Sequence, residues 1–338
     1  MIPRVETTLA SPKAPTLGMR WAMDLPSYHR PVLLKEVQDA LAVHPKGRYL
    51  DATCGQGGHT QAILQGCLPG GHVLSLDLDP QAIADCAQRL EAFRPHFTLV
   101  QNSYTRMGEI AADQDFGPAD GVLLDLGLSS QQLETSGRGF SFRRDEPLDM
   151  RFDPQGPITA ADIVNTYQRD DLAKLLRDYG QEPRARAVAR ALVQERPLTT
   201  SAQLARLVSR VARPPRPGLH AATRTFQALR IAVNEELDNV RQGLEQAISL
   251  LATGGRLAVI SYHSLEDRIA KETLRRESRD CICPPEVPIC QCDHKATLKL
   301  ITRRVVTPTA EERAQNPRSR SARLRVAERL PTRGTLTR

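Results

Sequence analysis

The fold is decided by the stretch Asp51-Ala-Thr-Cys-Gly-Gln-Gly-Gly-His59. It follows Arg48–Ala52, which is predicted to be a β-strand, and it opens a helical pattern that ends near Gln65. The glycines at positions 55, 57 and 58 let the backbone turn sharply and let a ligand lie against it. Gln61 stands where a dinucleotide-binding fingerprint would have its third glycine. The turn therefore favours a ligand with a cationic amino-acid end over a pyrophosphate, with Asp51 facing the positive charge.

Strand and helix signals alternate on both sides of this turn. Further strands are predicted at His72–Asp77, Phe97–Gln101, Gly121–Leu126 and Leu257–Tyr262. Helices are predicted at Pro80–Phe93 and at Thr225–Leu251, the second of which is ended by Gly254-Gly255. Helices between strands imply parallel pairing. The predicted fold class is therefore α/β, with a doubly wound, Rossmann-like sheet.

The alternation stops between Glu134 and Ala222, where helical periodicity, turns and arginines occur without a clear strand. We expect one discontinuous α/β domain, residues 27–133 and 223–330, interrupted by a helical insertion at residues 134–222. Both junctions would lie at the carboxyl edge of the sheet, where ligands bind, so the insertion is predicted to select the substrate. Residues 1–26 are expected to be a disordered tail, and residues 331–338 a second tail.

Two further acids follow strands of the predicted sheet. Asp77 ends the second strand, twenty residues beyond Gly57, where doubly wound folds place a carboxylate that accepts hydrogen bonds from ribose hydroxyls. Asp79 would point to the other face and serve the turn before Pro80. Asp125 ends the fourth strand. Together with the glycine turn, these acids predict a nucleoside-containing cofactor; a nucleotide-binding protein and a non-catalytic relic are the alternatives.

The net charge of +7 is concentrated in two segments. Residues 301–338 hold ten Arg and three Glu, which accounts for the whole excess, and residues 184–216 hold eight Arg and one Glu. Guanidinium groups bind phosphate oxygens bidentately, so both segments are candidates for contacts with phosphate groups. A solvated helix face and a soluble tail would have the same composition. Only 4% of the residues are aromatic, which argues against recognition built on base stacking.

The sequence also bears on compartment and on metals. Because no apolar run is long enough to cross a bilayer and the first 26 residues lack the apolar core of a secretory signal, we expect a cytoplasmic protein with reduced thiols and no membrane contact. Four of the seven cysteines form the pairs Cys281-Ile-Cys283 and Cys290-Gln-Cys292, with His294 close by. They could hold a zinc ion, stay reduced or form a disulfide. Since C-x-C spacing is tighter than that of ordinary zinc knuckles, no metal ligand is assigned.

Several long motifs have the order and spacing of one known family. They are His29-Arg-Pro-Val-Leu-Leu34, Asp51–His59, Leu124–Ser130, Arg138–Phe142, Pro147–Arg151, Thr223–Arg230, Gly255–Arg268 and Asn316–Arg329. Through them the chain resembles the bacterial 16S ribosomal RNA cytosine-N4 methyltransferases, from about Tyr28 to Arg329. The resemblance implies a class I S-adenosylmethionine-dependent methyltransferase fold with a helical insertion. It also implies S-adenosylmethionine as cofactor and, as substrate, a cytosine in the decoding region of 16S ribosomal RNA in the small subunit.

The same resemblance implies a set of cofactor contacts. They are Gly57, Gly58, His59, Asp77, Tyr104, Asp125 and Gln132. Two positions in the turn depart from the family pattern, because Cys54 replaces an aromatic residue and Gln56 replaces a basic one. Neither departure removes a cofactor ligand.

Catalysis would need a group that accepts a hydrogen bond from the exocyclic amine of cytosine, because the amine lone pair is delocalised into the ring. The candidates are Asp125, Ser129, His263 and Asp149. Two of them have structural alternatives. His263 could hold Glu266, and Asp149 could form a salt bridge with Arg144 or Arg151. The sequence therefore singles out no catalytic base.

The segment after the fourth strand distinguishes this sequence from the DNA amino-methyltransferases. DNA amino-methyltransferases carry a Pro-Pro-aromatic loop there, and Asp125-Leu-Gly-Leu-Ser-Ser130 contains none, so DNA is disfavoured as a substrate. A methyltransferase acting on a protein or a small molecule would leave the arginine-rich segments unexplained. A non-catalytic RNA-binding assembly factor would leave the glycine turn and Asp77 unexplained. The sequence does not decide the oligomeric state, for which a dimer is one alternative.

Overall fold

The structure, a computed structural model, describes residues 31–287 and 289–331. The predicted N-terminal tail and residues 332–338 of the predicted C-terminal tail lie outside the described residues. The strands are β1 (Arg48–Asp51), β2 (His72–Asp77), β3 (Phe97–Gln101), β4 (Ala119–Asp125), β5 (Leu251–Ser261), β6 (Leu298–Leu300) and β7 (Arg323–Arg329).

The α-helices are α1 (Leu34–Leu41), α2 (Gly58–Cys67), α3 (Pro80–Leu90), α4 (Met107–Asp113), α5 (Ser130–Glu134), α6 (Ala160–Thr166), α7 (Arg169–Asp178), α8 (Ala185–Gln194), α9 (Ser201–Val211), α10 (Thr223–Val233), α11 (Glu236–Leu250), α12 (Ser264–Glu277) and α13 (Ala310–Gln315). Short 3₁₀ helices occupy Glu91–Phe93, Tyr104–Arg106 and Pro317–Ser321. Within the described chain, we find no helix that combines the length and the apolar character needed to cross a bilayer.

The strands form one seven-stranded sheet in the order β3-β2-β1-β4-β5-β7-β6. Strands β1 to β5 pair in parallel, whereas β7 runs antiparallel to both β5 and β6. The chain moves outward from β1 to β3 and then returns to place β4 on the other side of β1. This reversal opens a crevice at the carboxyl ends of β1 and β4, which is where doubly wound sheets bind ligands. The predicted α/β class and doubly wound sheet are confirmed.

Helices cover both faces of the sheet. On one face, α4, α11 and α12 pack on alternate residues of β1, β2 and β4, with Leu50, Leu124 and Leu244 fully buried. On the other face, α1, α2 and α3 pack on the opposite residues, including Tyr49 and Leu123. Side chains of a strand alternate between faces, so Leu123 and Leu124 belong to different cores. The apolar run of β4 is thus explained by burial on both sides.

The helical segment after α5 has a hydrophobic core of its own. Helices α6, α7, α8 and α9 contribute buried residues to it, as do Phe140 and Met150 from the loops that precede them. Phe226 and Leu229 of α10 belong to the same core. This core therefore reaches beyond residue 222, the predicted end of the insertion, and takes in the helix that follows.

The long helix predicted at Thr225–Leu251 is wrong, because the structure has two helices, α10 and α11, in its place. Between them, Glu235 adopts a left-handed backbone conformation with φ of 49°. The side chain of Asn234 accepts a hydrogen bond from the backbone N–H of Phe152 (2.7 Å) and donates one to the carbonyl of Met150 (2.8 Å). The break lets α10 pack in the insertion while α11 packs on the sheet. Periodicity alone could not reveal it, since the spacing of three or four continues across the break.

The predicted helix stop at Gly254-Gly255 is also wrong, because these glycines lie inside β5. Strand β5 begins at Leu251, opposite Ala119 of β4, and the pairing then shifts before resuming at Arg256 opposite Gly121. Gly254 has φ of 83°, which a glycine adopts without steric cost. The two glycines therefore form an irregularity in the strand.

Part of the basic C-terminal segment forms the strand β7, which pairs with β5 and β6 in the sheet. Arg323 and Arg325 both bind the carboxylate of Asp267 in α12, with N–O distances of 2.8 Å. Arg318 forms an ion pair with Glu134. These guanidinium groups already have carboxylate partners inside the protein. The segment is therefore part of the sheet, and its excess charge is a weaker argument for RNA contacts than composition suggested.

Candidate active site

A cavity of about 550 Å³ lies at the carboxyl edge of the sheet, in the crevice between β1 and β4. Its lining includes Cys54, Gly55, Asp77, Tyr104 and Asp125 from the sheet and its loops. The insertion and α10 contribute Phe140, Phe142, Met150, Phe152, Thr223, Phe226, Gln227 and Arg230. One continuous space thus joins the predicted cofactor residues to the predicted substrate-recognition segment.

The glycine turn forms one wall of this cavity. The backbone N–H of Gly55 donates a hydrogen bond to Asp77 Oδ2 (2.8 Å), and a Cβ at Gly55 would meet open space. Gly58 also lines the cavity, and a Cβ there would lie 2.3 Å from Pro31 Cγ. Gly57, with φ of 75°, is not among the lining residues, and a Cβ there would lie 2.8 Å from Cys86 Sγ. Gly57 therefore shapes the turn, while its neighbours offer backbone to a ligand.

Asp77 and Asp79 have distinct partners at the end of β2. Besides the Gly55 N–H, Asp77 accepts the backbone N–H of Asp79 (2.9 Å) and faces the cavity. Asp79 is the N-cap of α3 and accepts the N–H of Gln81, as predicted for the turn before Pro80. Its other oxygen accepts hydrogen bonds from Gln132 Nε2 (3.1 Å) and from the guanidinium of Arg138. Asp79 therefore also links the end of β2 to the start of the insertion.

Ser129 and Gln132 form a reciprocal cap at the start of α5. The Ser129 hydroxyl accepts the N–H of Gln132 (3.1 Å), and Gln132 Oε1 accepts the N–H of Ser129 (3.0 Å). Both residues line the cavity. Since both polar ends of the Gln132 side chain are engaged by Ser129 and Asp79, its first role is to fix the loop after β4. Ser129 keeps its hydroxyl proton available for a ligand.

Asp125 lies at the end of β4 and is held from two sides. Its Oδ1 accepts the hydroxyl of Tyr262 (2.8 Å), and its backbone N–H donates to Thr53 Oγ1 (2.7 Å). Its Oδ2 lies 3.6 Å from Nε2 of His59. Burial raises the pKa of Asp125 to about 7, against the hydrogen bond from Tyr262, which lowers it. A carboxylate with this pKa is suited to accept a proton near neutral pH.

Two more acids end strands next to Asp125: Asp77 is half-buried and lines the cavity, whereas Asp51, predicted to face the ligand charge, is fully buried and is not among the lining residues. Asp51 accepts the hydroxyl of Thr60 (2.6 Å), and burial raises the pKa values of both Asp51 and Asp77 to about 6. The hydrogen-bond donors that reach these three acids are hydroxyl and backbone N–H groups. Such donors do not neutralise charge, so a ligand that brings positive charge would favour the ionised acids. This arrangement fits the amino-acid end of S-adenosylmethionine, with its ammonium and sulfonium groups.

We predict that the affinity for S-adenosylmethionine rises with pH. In the ligand-free protein, the acids take up protons as the pH falls through 7 and 6, and a cationic ligand must displace those protons. The Kd should therefore fall as the pH rises, by up to about tenfold per pH unit for each linked proton below the pKa of that acid, and should level off above about pH 7. Because burial raises the folded-state pKa values above the ordinary value of 3.8, the acids contribute stability to the ligand-free fold below that value, and this contribution is lost as the pH rises to about 7.

Calorimetry in two buffers of different ionisation enthalpy measures this proton release directly. Asp125→Asn is the matched variant, and it should remove the component of the profile centred near pH 7. A Kd that stays constant as the pH rises to about 7 would show that the three acids do not sense the ligand charge.

His59 is a buried residue of the first turn of α2, and it lines the cavity. Burial lowers its pKa to about 4, so the ring is neutral at physiological pH. The ring lies close to the Val32 backbone and 3.6 Å from the Asp125 carboxylate, and among the described residues no side chain is within hydrogen-bond distance of its nitrogens. Burying imidazole nitrogens that lack hydrogen-bond partners costs free energy, and a ligand that bonds to them would offset this cost. His59 is therefore well placed to bind the methionine end of a cofactor beside Asp125.

Tyr104 follows β3 and forms one side of the cavity. Its ring packs on Gly243 of α11, where a Cβ would lie 2.5 Å from the ring. One side of the ring, at Cδ2 and Cε2, therefore lies against the helix, and the residue lines the same cavity as Asp77. This position agrees with the predicted packing on an adenine base.

His263 is the N-cap of α12 and interacts with Glu266. Its Nδ1 accepts the backbone N–H of Glu266 (3.3 Å), and its Nε2 lies 3.1 Å from the Glu266 carboxylate. Beneath it, Arg230 of α10 binds both oxygens of Glu236 at 2.7 and 2.8 Å. Of the two alternatives weighed for His263, the structure has the one in which it holds Glu266. The group still lines the cavity and can orient a substrate.

Asp149 is not brought to the cavity. It is absent from the lining residues, and its carboxylate binds Arg151 through Nε (2.8 Å) and Nη2 (2.6 Å). The salt bridge is the structural alternative that the sequence offered for it. The hypothesis that Asp149 faces the amine is therefore not supported by its position.

The sequence predicted no role in the site for two residues that bind its acids, Tyr262 and Arg138. Tyr262, which binds Asp125, was taken only as the last residue of a strand, and Arg138 was noticed only as part of a motif. Both have partners more than fifty positions away, Arg138 on Asp79 and Tyr262 on Asp125. The available signal for Tyr262 was its place at the carboxyl end of a predicted strand, where parallel sheets collect functional residues.

A doubly wound sheet that carries buried, unneutralised acids after β1, β2 and β4 around a glycine turn defines a class I S-adenosylmethionine-dependent methyltransferase. A sequence model of the MraW methylase family matches residues 26–330. The chain therefore belongs to the MraW methylase family.

Similar proteins are known from several bacteria. The chain is 51% identical to ribosomal RNA small subunit methyltransferase H of Dehalococcoides mccartyi, over 89% of this chain and 86% of that protein. It is 50% identical to the protein of the same name from Thermomicrobium roseum, over 90% of this chain and 95% of the relative. Among solved structures, an rRNA methylase from Streptococcus thermophilus is 12% identical with a TM-score of 0.41, over 88% of this chain and 95% of that chain.

Proposed function

We propose that this protein transfers the methyl group of S-adenosylmethionine to the N4 amine of a cytosine in the decoding region of 16S ribosomal RNA. The observation that carries the proposal is the single cavity in which Asp125 lies between the cofactor residues and the insertion. The relatives named ribosomal RNA small subunit methyltransferase H support the substrate class. A ribosomal substrate would place the reaction in the cytoplasm.

The cofactor would be held by residues already in contact with the cavity. Asp77 would accept the ribose hydroxyls, Tyr104 would pack on the adenine, and the turn at Gly55 and Gly58 would lie along the methionine end, next to His59. When bound, S-adenosylmethionine supplies an electrophilic methyl group on a positively charged sulfur. The chain's task is then to align the nucleophile with that group, because alignment dominates the barrier of an in-line displacement.

Asp125 is the group that would activate the amine. Accepting an N–H hydrogen bond from cytosine localises the nitrogen lone pair as the new bond forms, and the carboxylate then takes the released proton. Tyr262 fixes the carboxylate through its hydroxyl at 2.8 Å. Ser129, at the start of α5, offers a hydroxyl on the same side of the cavity. The aromatic side chains Phe140, Phe142 and Phe152 would exclude water from the base.

The experiment that tests the proposal is methyl transfer from labelled S-adenosylmethionine to small ribosomal subunits isolated from a strain that lacks this protein. Nucleoside mass analysis of the product should reveal N4-methylcytidine and locate it in the decoding region. Labelling of ribosomal proteins instead of RNA would favour the protein-substrate alternative. An absence of any transfer, together with RNA binding, would favour a non-catalytic assembly factor.

The exposed arginines of the insertion are a further part of the proposal. Arg186 and Arg190 lie one helical turn apart on α8, Arg206 lies on α9, and all three side chains are exposed. We predict that replacing all three by Gln lowers the slope of log K against log salt by about 0.7–0.9 for each arginine that had bound a phosphate. Filter binding of 16S RNA over a salt series measures the slope.

The matched control for this triple variant is Arg323→Gln with Arg325→Gln, whose partner is Asp267 inside the protein. These changes should leave the slope nearly unaltered while lowering the free energy of unfolding. S-adenosylmethionine affinity should be unaffected by the changes in the insertion. If the insertion variant retains the wild-type slope, RNA phosphates bind elsewhere.

A further inference from the structure

The segment that joins α12 to β6 carries four thiols that the methyl-transfer site does not use. They belong to Cys281, Cys283, Cys290 and Cys292, and all four are free. Their sulfur atoms lie within 4.8 Å of one another. The Sγ of Cys292 is 3.6 Å from that of Cys290 and 3.8 Å from that of Cys281. Two pairs that are separate in sequence therefore converge on one point.

We infer that these four cysteines bind one structural zinc ion as thiolates. Zn–S bonds of about 2.3 Å in a tetrahedron place neighbouring sulfurs about 3.8 Å apart, close to the observed separations. A disulfide would need about 2.05 Å. In the sequence, the tight C-x-C spacing argued against zinc. It does not prevent the four sulfur atoms from converging, because each pair supplies one edge of the tetrahedron.

The surroundings of the thiols support a bound cation over simple packing. Two of the four residues are exposed and two are half-buried, so burial of apolar surface cannot account for their convergence. The N–H of Ile282, the middle residue of the first pair, donates to Cys292 Sγ at 3.4 Å. The N–H of Gln291, the middle residue of the second pair, donates to Cys283 Sγ at 3.4 Å. Such reciprocal N–H donors stabilise the negative charge that metal-binding sulfurs carry.

The ion would be structural and would take no part in methyl transfer. Four thiolates complete the tetrahedron and leave no position open for a substrate. Helix α12 has 14 residues, about 21 Å at 1.5 Å per residue, and separates the cluster from His263 at its other end. The ends of the loop are already tied to this helix, since Thr297 N donates to the Glu277 carbonyl (2.8 Å) and His294 Nε2 lies 3.1 Å from the Arg276 carbonyl.

Elemental analysis of the full-length protein, purified without chelators, tests the inference. We expect about one zinc per chain. The double variant Cys290→Ser with Cys292→Ser should lose at least about nine-tenths of that zinc, because only two thiolates remain. The control Ile289→Ser changes a residue that is 75% exposed in the same loop and should keep the zinc. Iron in place of zinc, a metal-free protein with reactive thiols, or an intact mass lower by two hydrogens per disulfide would each overturn the inference.

Limited proteolysis gives a second readout that does not depend on the serine variants folding normally. Arg279 and Lys295 flank the loop and are exposed to trypsin. Removing zinc from the wild-type protein should speed cleavage at these two positions at least about tenfold, while S-adenosylmethionine affinity stays unchanged. Restored zinc should restore the protection. Equal cleavage of the zinc-free and zinc-loaded protein would show that the ion does not hold the loop.

Discussion

The Asp125→Asn variant is expected to transfer methyl groups about 100- to 10,000-fold more slowly than the wild type, at saturating S-adenosylmethionine and RNA. This is the usual range for the loss of a positioned proton acceptor. Asparagine keeps the shape of the side chain and can still accept the Tyr262 hydroxyl, so the loss would report on the carboxylate itself. Single-turnover kinetics on small ribosomal subunits measures the effect.

Tyr262→Phe is the matched control for this variant. It leaves the Asp125 carboxylate in place and removes one hydrogen bond from it, so the expected loss in rate is about tenfold. A normal single-turnover rate in Asp125→Asn, accompanied by a weaker Kd for S-adenosylmethionine, would assign Asp125 to cofactor binding alone. A normal rate and a normal Kd would exclude it from both roles.

The Asp77→Ala variant is expected to bind S-adenosylmethionine about 30- to 1,000-fold more weakly. Two charge-assisted hydrogen bonds to the ribose would be removed together, a change of about 2–4 kcal/mol. Isothermal titration at about pH 8, where the acid is ionised, measures the full effect. Asp85→Ala, on α3 outside the cavity, is the control and should bind normally.

The Gly55 N–H also donates to Asp77, so the variant could disturb the turn as well as the ribose contact. Asp77→Asn separates these effects, because an amide oxygen can still accept the Gly55 N–H while the charge is removed. Thermal unfolding without ligand reports on the turn. A wild-type Kd in Asp77→Ala would contradict the assignment of this residue to the ribose.

The sequence predicted the parallel strands and the acids at their ends because those features are local. The buried strand β4 has the continuous apolar run Val122-Leu123-Leu124, and an acid at the end of such a strand lies at the carboxyl edge of the sheet. The observed bounds of β2 and β3 coincide with the predicted ones. The glycine turn is local in the same sense, since Gly55 and Gly57 take the positive φ values that the sequence pattern suggested.

The features that the sequence missed depend on partners far along the chain. The break between α10 and α11 is stabilised by bonds from Asn234 to the loop at Met150 and Phe152, and no periodicity encodes such contacts. The roles of Arg323 and Arg325 in β7 are set by one carboxylate, Asp267, on another element. The convergence of two C-x-C pairs likewise depends on how the loop folds back on itself.

Hydrogen bonds of Asp79 link the end of β2 to the insertion, and this link has a thermodynamic consequence. Its two carboxylate oxygens bind the start of α3, the Gln132 amide and the Arg138 guanidinium, and Arg138 in turn binds the carbonyl of Phe152 in the cavity wall. A cofactor that shifts the end of β2 would therefore shift the cavity wall that we propose binds the RNA. By thermodynamic linkage, the cofactor would then change the affinity for RNA, and RNA would change the affinity for the cofactor, by the same factor.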